Sequence, residues 1–176
     1  MTVRPATPAD AEVVAEIYRF YVTDTAITFD EAPLSADDFV RRIDAGGLPF
    51  LVAEREGQVV GYITAAPHGA RASFRWSVNS MIYVRPGLAR GGVGRALYAG
   101  LLPRLTALNY VRVYAGITLP NAPSVGLHEA LGFRRVATFP AAGYKLGRWW
   151  DVGWWELPLV PLPEHPAEPL ATPGGR

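Results

Sequence analysis

Ala89-Arg90-Gly91-Gly92-Val93-Gly94-Arg95 stands between an apolar, strand-like run closing at Val84-Arg85-Pro86-Gly87 and a helical pattern that starts at about Val93. Glycines at such a junction let backbone N–H groups turn inward, and a helix N-terminus adds partial positive charge. Together they form a site for phosphate oxygens. Many strand–glycine–helix junctions are simply tight turns, so the spacing has to discriminate. A P-loop requires Gly-Lys-Ser/Thr, and here Gly94 is followed by Arg95-Ala96. A dinucleotide fold places its glycines after the first strand, with an acidic residue about 20 positions on. This cluster begins only at residue 89, and Tyr114 stands where that acid belongs. Neither motif fits.

Working outward, the spacing predicts a short strand at Val3–Pro5 and a helix opened by Thr7-Pro8-Ala9-Asp10, with Asp10 placed to reach back to Thr7. A loop follows over Thr25–Pro33, then a helix from Ser35 that Gly46-Gly47 stops. Phe50–Glu54 and Val59–Ala66 flank Arg55-Glu56-Gly57-Gln58 and read as a hairpin. A long strand is expected from Phe74 to Val84. In the helix after the glycine cluster, Pro103 is expected to kink the pattern or end it. Tyr110–Ile117 reads as a buried strand, Asn121–Leu131 as a short helix, and Phe133–Phe139 and Trp154–Leu159 as the last strands. The order β-α-α-β-β-β-α-β-α-β-β is α/β of the mixed, α+β kind, with too many consecutive strands for a doubly wound sheet.

The 176 residues suit one domain with a full core. Residues 1–160 are expected to form it, and the proline-rich 161–176 a mobile tail. A net charge of +1 gives no electrostatic case for nucleic acid or a membrane surface, and no apolar stretch approaches the ~18 residues of a membrane span. The start, Met1-Thr2-Val3-Arg4-Pro5, lacks a signal-peptide pattern, so a cytoplasmic location is expected. With no cysteine, thiolate metal sites and a cysteine nucleophile are excluded. His68, His128 and His165 lack metal-ligand spacing, so no metal is expected.

Several segments together resemble the GNAT acetyltransferase superfamily, and within it the phosphinothricin and methionine sulfoximine acetyltransferases. The superfamily signature Arg/Gln-x-x-Gly-x-Gly/Ala is matched by Gly91-Gly92-Val93-Gly94, with Ala89 at its first position and Arg90 next to it. Thr28-Phe29-Asp30-Glu31-Ala32-Pro33 resembles the loop that roofs the substrate site. Arg71-Ala72-Ser73-Phe74-Arg75-Trp76 is similar to an Arg-x-x-Tyr-Arg-Trp run. Asn121 to Phe133 and Gly143 to Val152 resemble the acetyl-CoA-binding helix and the C-terminal segment. The resemblance implies a GNAT fold, a central mixed and mostly antiparallel sheet flanked by about four helices. It also implies acetyl-CoA as co-substrate, a small-molecule amine as acceptor, direct transfer, and a homodimer.

By the same resemblance, Ile82, Tyr83 and Val84 offer backbone groups to the pantetheine arm and to the oxyanion. Arg90, Gly91, Gly92, Val93, Gly94 and Arg95 hold the pyrophosphate, with Asn121 and Ser124 on the pantetheine. Phe29, Arg71, Phe74, Arg75 and Lys145 are the substrate candidates. The Arg and Lys side chains would meet an acceptor carboxylate, although surface placement is their usual fate. His128 stands where many members carry a thiolate-protonating tyrosine, while a histidine on an inner helix face is more often a packing residue. Of the clustered Trp149, Trp150, Trp154 and Trp155, at least one is expected at a dimer interface.

Trp76-Ser77-Val78-Asn79-Ser80 departs from the pattern Trp-Thr-Val-Glu-Ser, whose glutamate is the general base. A carboxamide accepts a hydrogen bond but takes no proton at neutral pH, and general-base catalysis is worth ~10²–10⁴-fold. Three readings stay open. Glu31, His68 or His128 supplies the base, the acceptor is already neutral, or the chain binds acyl-CoA without efficient turnover.

Overall fold

The computed structural model describes residues 1–88 and 91–171. Seven strands form one sheet in the order β1-β2-β3-β4-β5-β7-β6. They are β1 (Thr2–Pro5), β2 (Phe50–Arg55), β3 (Gln58–Pro67), β4 (Ser77–Val84), β5 (Arg112–Leu119), β6 (Arg134–Lys145) and β7 (Arg148–Pro158). Every neighbouring pair is antiparallel except β4–β5. Four helices complete the fold: α1 (Ala11–Thr23), α2 (Ala36–Asp44), α3 (Val93–Ala107) and α4 (Ala122–Ala130). The mixed α/β architecture expected from the sequence is present, with the element order intact.

The central strands bury both faces, because alternate side chains serve two separate cores. Leu51, Ile63, Val78 and Val113 pack with Leu97, Tyr98 and Leu101 of α3. Val52, Val59 and Tyr62 pack with Val14, Ile17 and Tyr18 of α1 and Phe39 of α2. Thus α3 and α4 cover one face and α1 and α2 the other. Register between β3 and β4 is unbroken from Gly61–Val84 to Pro67–Val78. No bulge therefore disturbs the parity of β4: Val78, Ser80, Ile82 and Val84 face α3, and Asn79, Met81 and Tyr83 face α1.

Three expectations are corrected. The strand expected from Phe74 starts only at Ser77, since Ala72–Phe74 form a 3₁₀ turn and Arg75 is helical. Arg75 is therefore not on the face of Ser77 and Asn79 by strand alternation. Pro103 does not end α3, which runs on to Ala107: it lies on the solvent side with Ala99, whose carbonyl loses its helical donor where water can replace it. The last two strands are far longer than expected, meeting at Leu146-Gly147, both with positive φ. Pro140-Ala141-Ala142 lies inside β6, where a register shift between Phe139 and Gly143 accommodates it as a bulge.

The proline-rich segment expected to be mobile makes specific contacts as far as Leu170. Trp76 Nε1 donates to the Ala167 carbonyl at 2.8 Å, Asn109 Nδ2 to Glu168 O at 2.9 Å, and Leu170 N to Leu108 O at 2.9 Å. Prolines lower the entropy lost in fixing such a chain. Among the described residues no helix is long and apolar enough to cross a membrane.

The start of the chain is fastened by Asp10, which is 6% exposed. Its carboxylate accepts both Arg4 Nη groups at 2.8 Å and the Thr7 N–H at 2.8 Å. The Arg4 guanidinium holds the Asp10 carboxyl down at about 2, against the opposing effect of burial. The folded state therefore favours the ionised form. Its stabilisation is complete above the unfolded carboxyl range and is lost as pH falls from about 4 towards 2. Because Arg4 is partly exposed, Asp10→Ala should cost a cap-sized ~1–2 kcal/mol. A drop in Tm of roughly 2–8 °C at pH 7, shrinking towards zero near pH 2, is expected by differential scanning calorimetry.

Candidate active site

β4 and β5 pair only over Ser77–Asn79 and Arg112–Tyr114. Beyond that point β5 continues against β7 as far as Leu119–Asp151, while β4 keeps only β3. The strands part like a fork, leaving one backbone edge of β4 open from Ser80 to Val84. At the apex Ser80 Oγ lies 3.3 Å from the Tyr114 carbonyl and 2.7 Å from the Tyr98 hydroxyl.

On the α3 side the fork opens into a cleft of about 840 Å³. Ile82 and Val84 of β4 line it, as do Gly92, Val93, Gly94 and Arg95 at the start of α3 and Asn121 and Ser124 at the start of α4. Eight of the residues expected to bind the co-substrate thus share one cavity. Gly92 holds φ +77° and caps α3 without a side-chain bond, so the first N–H groups of that helix remain available to an anion. Gly94 allows the two helix starts to approach, since a Cβ there would stand 2.7 Å from Leu127 Cδ2. Asn121 Oδ1 accepts from Ser124 N at 3.2 Å and so is itself a cap, leaving its Nδ2 for a ligand. The Val84 carbonyl is taken by the Tyr21 hydroxyl at 2.6 Å. Arg90 lies outside the described residues.

Sequence reasoning missed three parts of this cleft. Arg55, at the end of β2, donates to the Gly91 carbonyl at 2.8 Å and steadies the glycine loop. Arg85 also lines the cleft, and its buried Nε has no partner among the described residues, a donor suited to a phosphate or amide oxygen. Phe20 and Ile27 form an apolar wall, both more than a third exposed. Nothing in their spacing set these residues apart: Arg55, Arg85 and Phe20 serve strand ends or a helix, and Ile27 sits in the loop after α1.

The opposite face carries a second cluster. Tyr83 points into it, edge-on to Tyr18 at 5.0 Å between centroids, and burial pushes its hydroxyl up to about 12. Tyr18 hydrogen-bonds Thr28 at 3.0 Å and Asp30, and desolvation raises its pKa too. Lys145 Nζ donates to the Thr28 carbonyl at 2.7 Å, and burial lowers its pKa against the attraction of Asp30 and Glu31. Phe29 sits so closely on Gly143 that any Cβ there would meet its ring at 2.3 Å. The roofing loop is thereby clasped by the β6–β7 hairpin. At the fork apex His68 Nδ1 lies 2.7 Å from Asn79 Oδ1, and the imidazole stacks on Tyr114 at 4.2 Å between Phe74 and Trp154.

Phe29, Phe74, Lys145 and Asn79 thus share this face, but Arg71 and Arg75 do not join them. Arg75 Nε and Nη2 each meet the Glu168 carboxylate at 2.7 Å, and the guanidinium stacks on Trp76 at 3.8 Å. Arg71, Arg75 and Glu168 border a separate cavity of about 340 Å³. His128 is 2% exposed and has both ring nitrogens engaged. Nδ1 donates to the Ser124 carbonyl at 2.7 Å, and Nε2 lies 2.8 Å from the Tyr98 hydroxyl. Burial lowers its pKa, so it stands neutral at the inner end of a buried chain that runs through Tyr98 to Ser80.

Comparison with known proteins agrees with this geometry. Residues 3–154 match the family model described as an acetyltransferase (GNAT) domain. The chain is 41% identical over 170 residues to a phosphinothricin N-acetyltransferase of Streptomyces viridochromogenes, covering 93% of each chain. It is 34% identical to an L-methionine sulfoximine/L-methionine sulfone acetyltransferase of Salmonella typhimurium, over 90% of this chain and 95% of that one. Among solved structures, the phosphinothricin acetyltransferase of Sinorhizobium meliloti in complex with acetyl-CoA superposes with a TM-score of 0.84. The two are 35% identical, with 89% of this chain and 87% of that one covered. A forked β4–β5 pair opening on two helix N-termini, together with these matches, identifies the chain as a member of the GNAT acetyltransferase superfamily of the phosphinothricin acetyltransferase-like kind.

Proposed function

We propose that the protein transfers the acetyl group of acetyl-CoA directly to the amine of a small amino acid or an analogue such as phosphinothricin or methionine sulfoximine. The parting of β4 and β5 is the observation that carries this reading. It joins a cleft suited to a long, phosphate-bearing thioester to a polar and aromatic cluster on the other face. The pyrophosphate is held by the N–H groups that begin α3, with Arg95 and Arg85 as cationic partners. The pantetheine amides extend the open edge of β4 in the manner of an added strand. An N–H of that edge polarises the thioester carbonyl, a contribution worth ~10²–10³ in rate. The amine attacks from the Tyr83 side, and the departing thiolate takes up a proton equivalent to the second one that the amine gives up.

With Arg75 paired to Glu168 and Arg71 bordering the separate cavity, Lys145 is the cation on the acceptor side for a substrate carboxylate. A homodimer forms part of the same reading. Trp155 is core at 1% exposure, but Trp149 is 64% exposed beside Tyr144 and Leu146 at the tip of the β6–β7 hairpin. That apolar tip suits a second copy of the chain, and a cytoplasmic location suits the co-substrate.

Free-thiol release from acetyl-CoA across amino acids, sulfoximines and arylamines tests the activity. Saturable release with one acceptor class is expected. Clear acetyl-CoA binding with no release would favour an acyl-CoA-binding protein instead. Gly92→Val, which forces a β-branched residue to a φ of +77° at the start of α3, should weaken acetyl-CoA binding at least about tenfold by calorimetry. Trp149→Glu is expected to give a monomer by light scattering where the parent chain is a dimer.

A further inference from the structure

Asn79 occupies the position of the family's base without being able to act as one, yet its side chain is not idle. It spends its amide oxygen on His68, which sits at the fork apex against the last paired residues of β4 and β5. We propose that His68 is the general base of this enzyme and that Asn79 is its positioning residue. The inference rests on the acetyl-transfer reading given above and names the group that completes it.

An amide oxygen only accepts hydrogen bonds, so the Nδ1 atom 2.7 Å from Asn79 Oδ1 must carry the proton. That fixes the neutral tautomer and leaves the basic lone pair on Nε2. Nε2 has no hydrogen-bond partner among the described residues, and it is not among the side-chain nitrogens sealed from solvent without one. The ring is held in place by stacking on Tyr114 at 4.2 Å and by edge contacts with Phe74 and Trp154 at 6.0 and 5.9 Å. The backbone is fixed as well, with His68 N donating to Ser77 O at 3.1 Å. Hydrogen-bond orienter, base and open face thus follow the logic by which an activated histidine is recognised. His128 differs on each count: it is sealed and both nitrogens are occupied. Among the described residues, the hydrogen bond and ring contacts of His68 are with Asn79 from β4, Tyr114 from β5, Trp154 from β7 and Phe74 from the 3₁₀ turn, and of these four Tyr114 is titratable.

In the reaction, Nε2 takes one proton from the acceptor's ammonium, directly or through a water, and later returns it to solvent. The freed nitrogen pair forms the C–N bond to the acetyl carbon. The C–S bond breaks with its electron pair on sulfur, and the second amine proton is balanced by the one the thiolate takes up. No electron changes hands with any third party.

The test uses the full chain with the best acceptor of the panel. His68→Gln keeps a partner for Asn79 but removes the base, and should lower kcat/KM at least about a hundredfold with acetyl-CoA affinity unchanged within threefold. The acid limb of the parent pH profile should vanish in that variant. Asn79→Ala should lower kcat about tenfold while keeping the limb, and Asn79→Asp should move the limb to higher pH. Nitrogen-15 NMR of the parent imidazoles should show His68 protonated at Nδ1, a result independent of whether any variant folds. A parent enzyme that turns over while His68→Gln stays within threefold of it overturns the assignment of the base alone, as does an Nε2-protonated ring. A parent chain that releases no thiol with any acceptor overturns the acetyl-transfer reading and the base with it.

Discussion

A single shortfall in hydrogen bonding organises this molecule: β4 and β5 run parallel for three residues and then separate. Buried backbone groups are almost always paired, and a strand edge that loses its partner invites another chain or ligand to replace it. β5 keeps β7 on its other edge along eight residues from Arg112 to Leu119, as β4 keeps β3, so it is the facing edges of the two strands that open beyond the apex. Among the described residues no strand replaces β5 beside β4, so that edge stays open over five residues, Ser80 to Val84. Ser80 closes the apex with its own hydroxyl, bridging to the Tyr114 carbonyl where the ladder fails. The remaining edge is the part of the fold built to be completed by a ligand.

What the edge can accept is set by the elements around it. The connection from β4 to β5 passes through α3, whose start lies against the open edge, and α4 begins at the same level after β5. Two helix N-termini therefore face one cleft, and their unpaired N–H groups suit the anionic end of a ligand whose amides suit the strand. Close approach there requires the absence of a side chain at Gly94. On β4 the strict alternation maintained by unbroken pairing with β3 sends Ile82 to the cleft and Asn79 and Tyr83 to the other face. Neighbouring residues of one strand thus face two different sites, and the gap between the strands lies between them.

The fold was legible because its signals were local. Caps at Thr7, Ser35 and Asn121, the Glu56-Gly57 turn with both φ values positive, and the glycine cluster each declare an element within a few residues. The cofactor side was legible for the same reason, since Gly91 to Arg95 and Asn121 to Ser124 are continuous motifs. The acceptor side was not. Arg75 reads as strand, and a 3₁₀ turn together with a carboxylate 93 positions away removes it from the site. The length of the β6–β7 hairpin was hidden by Pro140, which strand reasoning treats as a stop and a bulge accommodates. His68 could be named as one of several bases, but only long-range contact with Asn79 and Tyr114 separates it from Glu31 and His128.

The pairing of an asparagine with that histidine has a physical logic that a glutamate at the same place would lack. A carboxylate beside the ring would attract the imidazolium and raise the imidazole's pKa, leaving less of the free base near neutrality. It would also set a negative charge in the path of an acceptor that carries its own carboxylate. An amide oxygen fixes the tautomer through one hydrogen bond and adds no net charge. The face that receives the acceptor then keeps Lys145, whose charge is already weakened by burial, as its cation for a carboxylate. On the proposed reading, the asparagine at position 79 and the held imidazole at 68 act as one unit, with the base at the end of β3 and the open edge of β4 beside it.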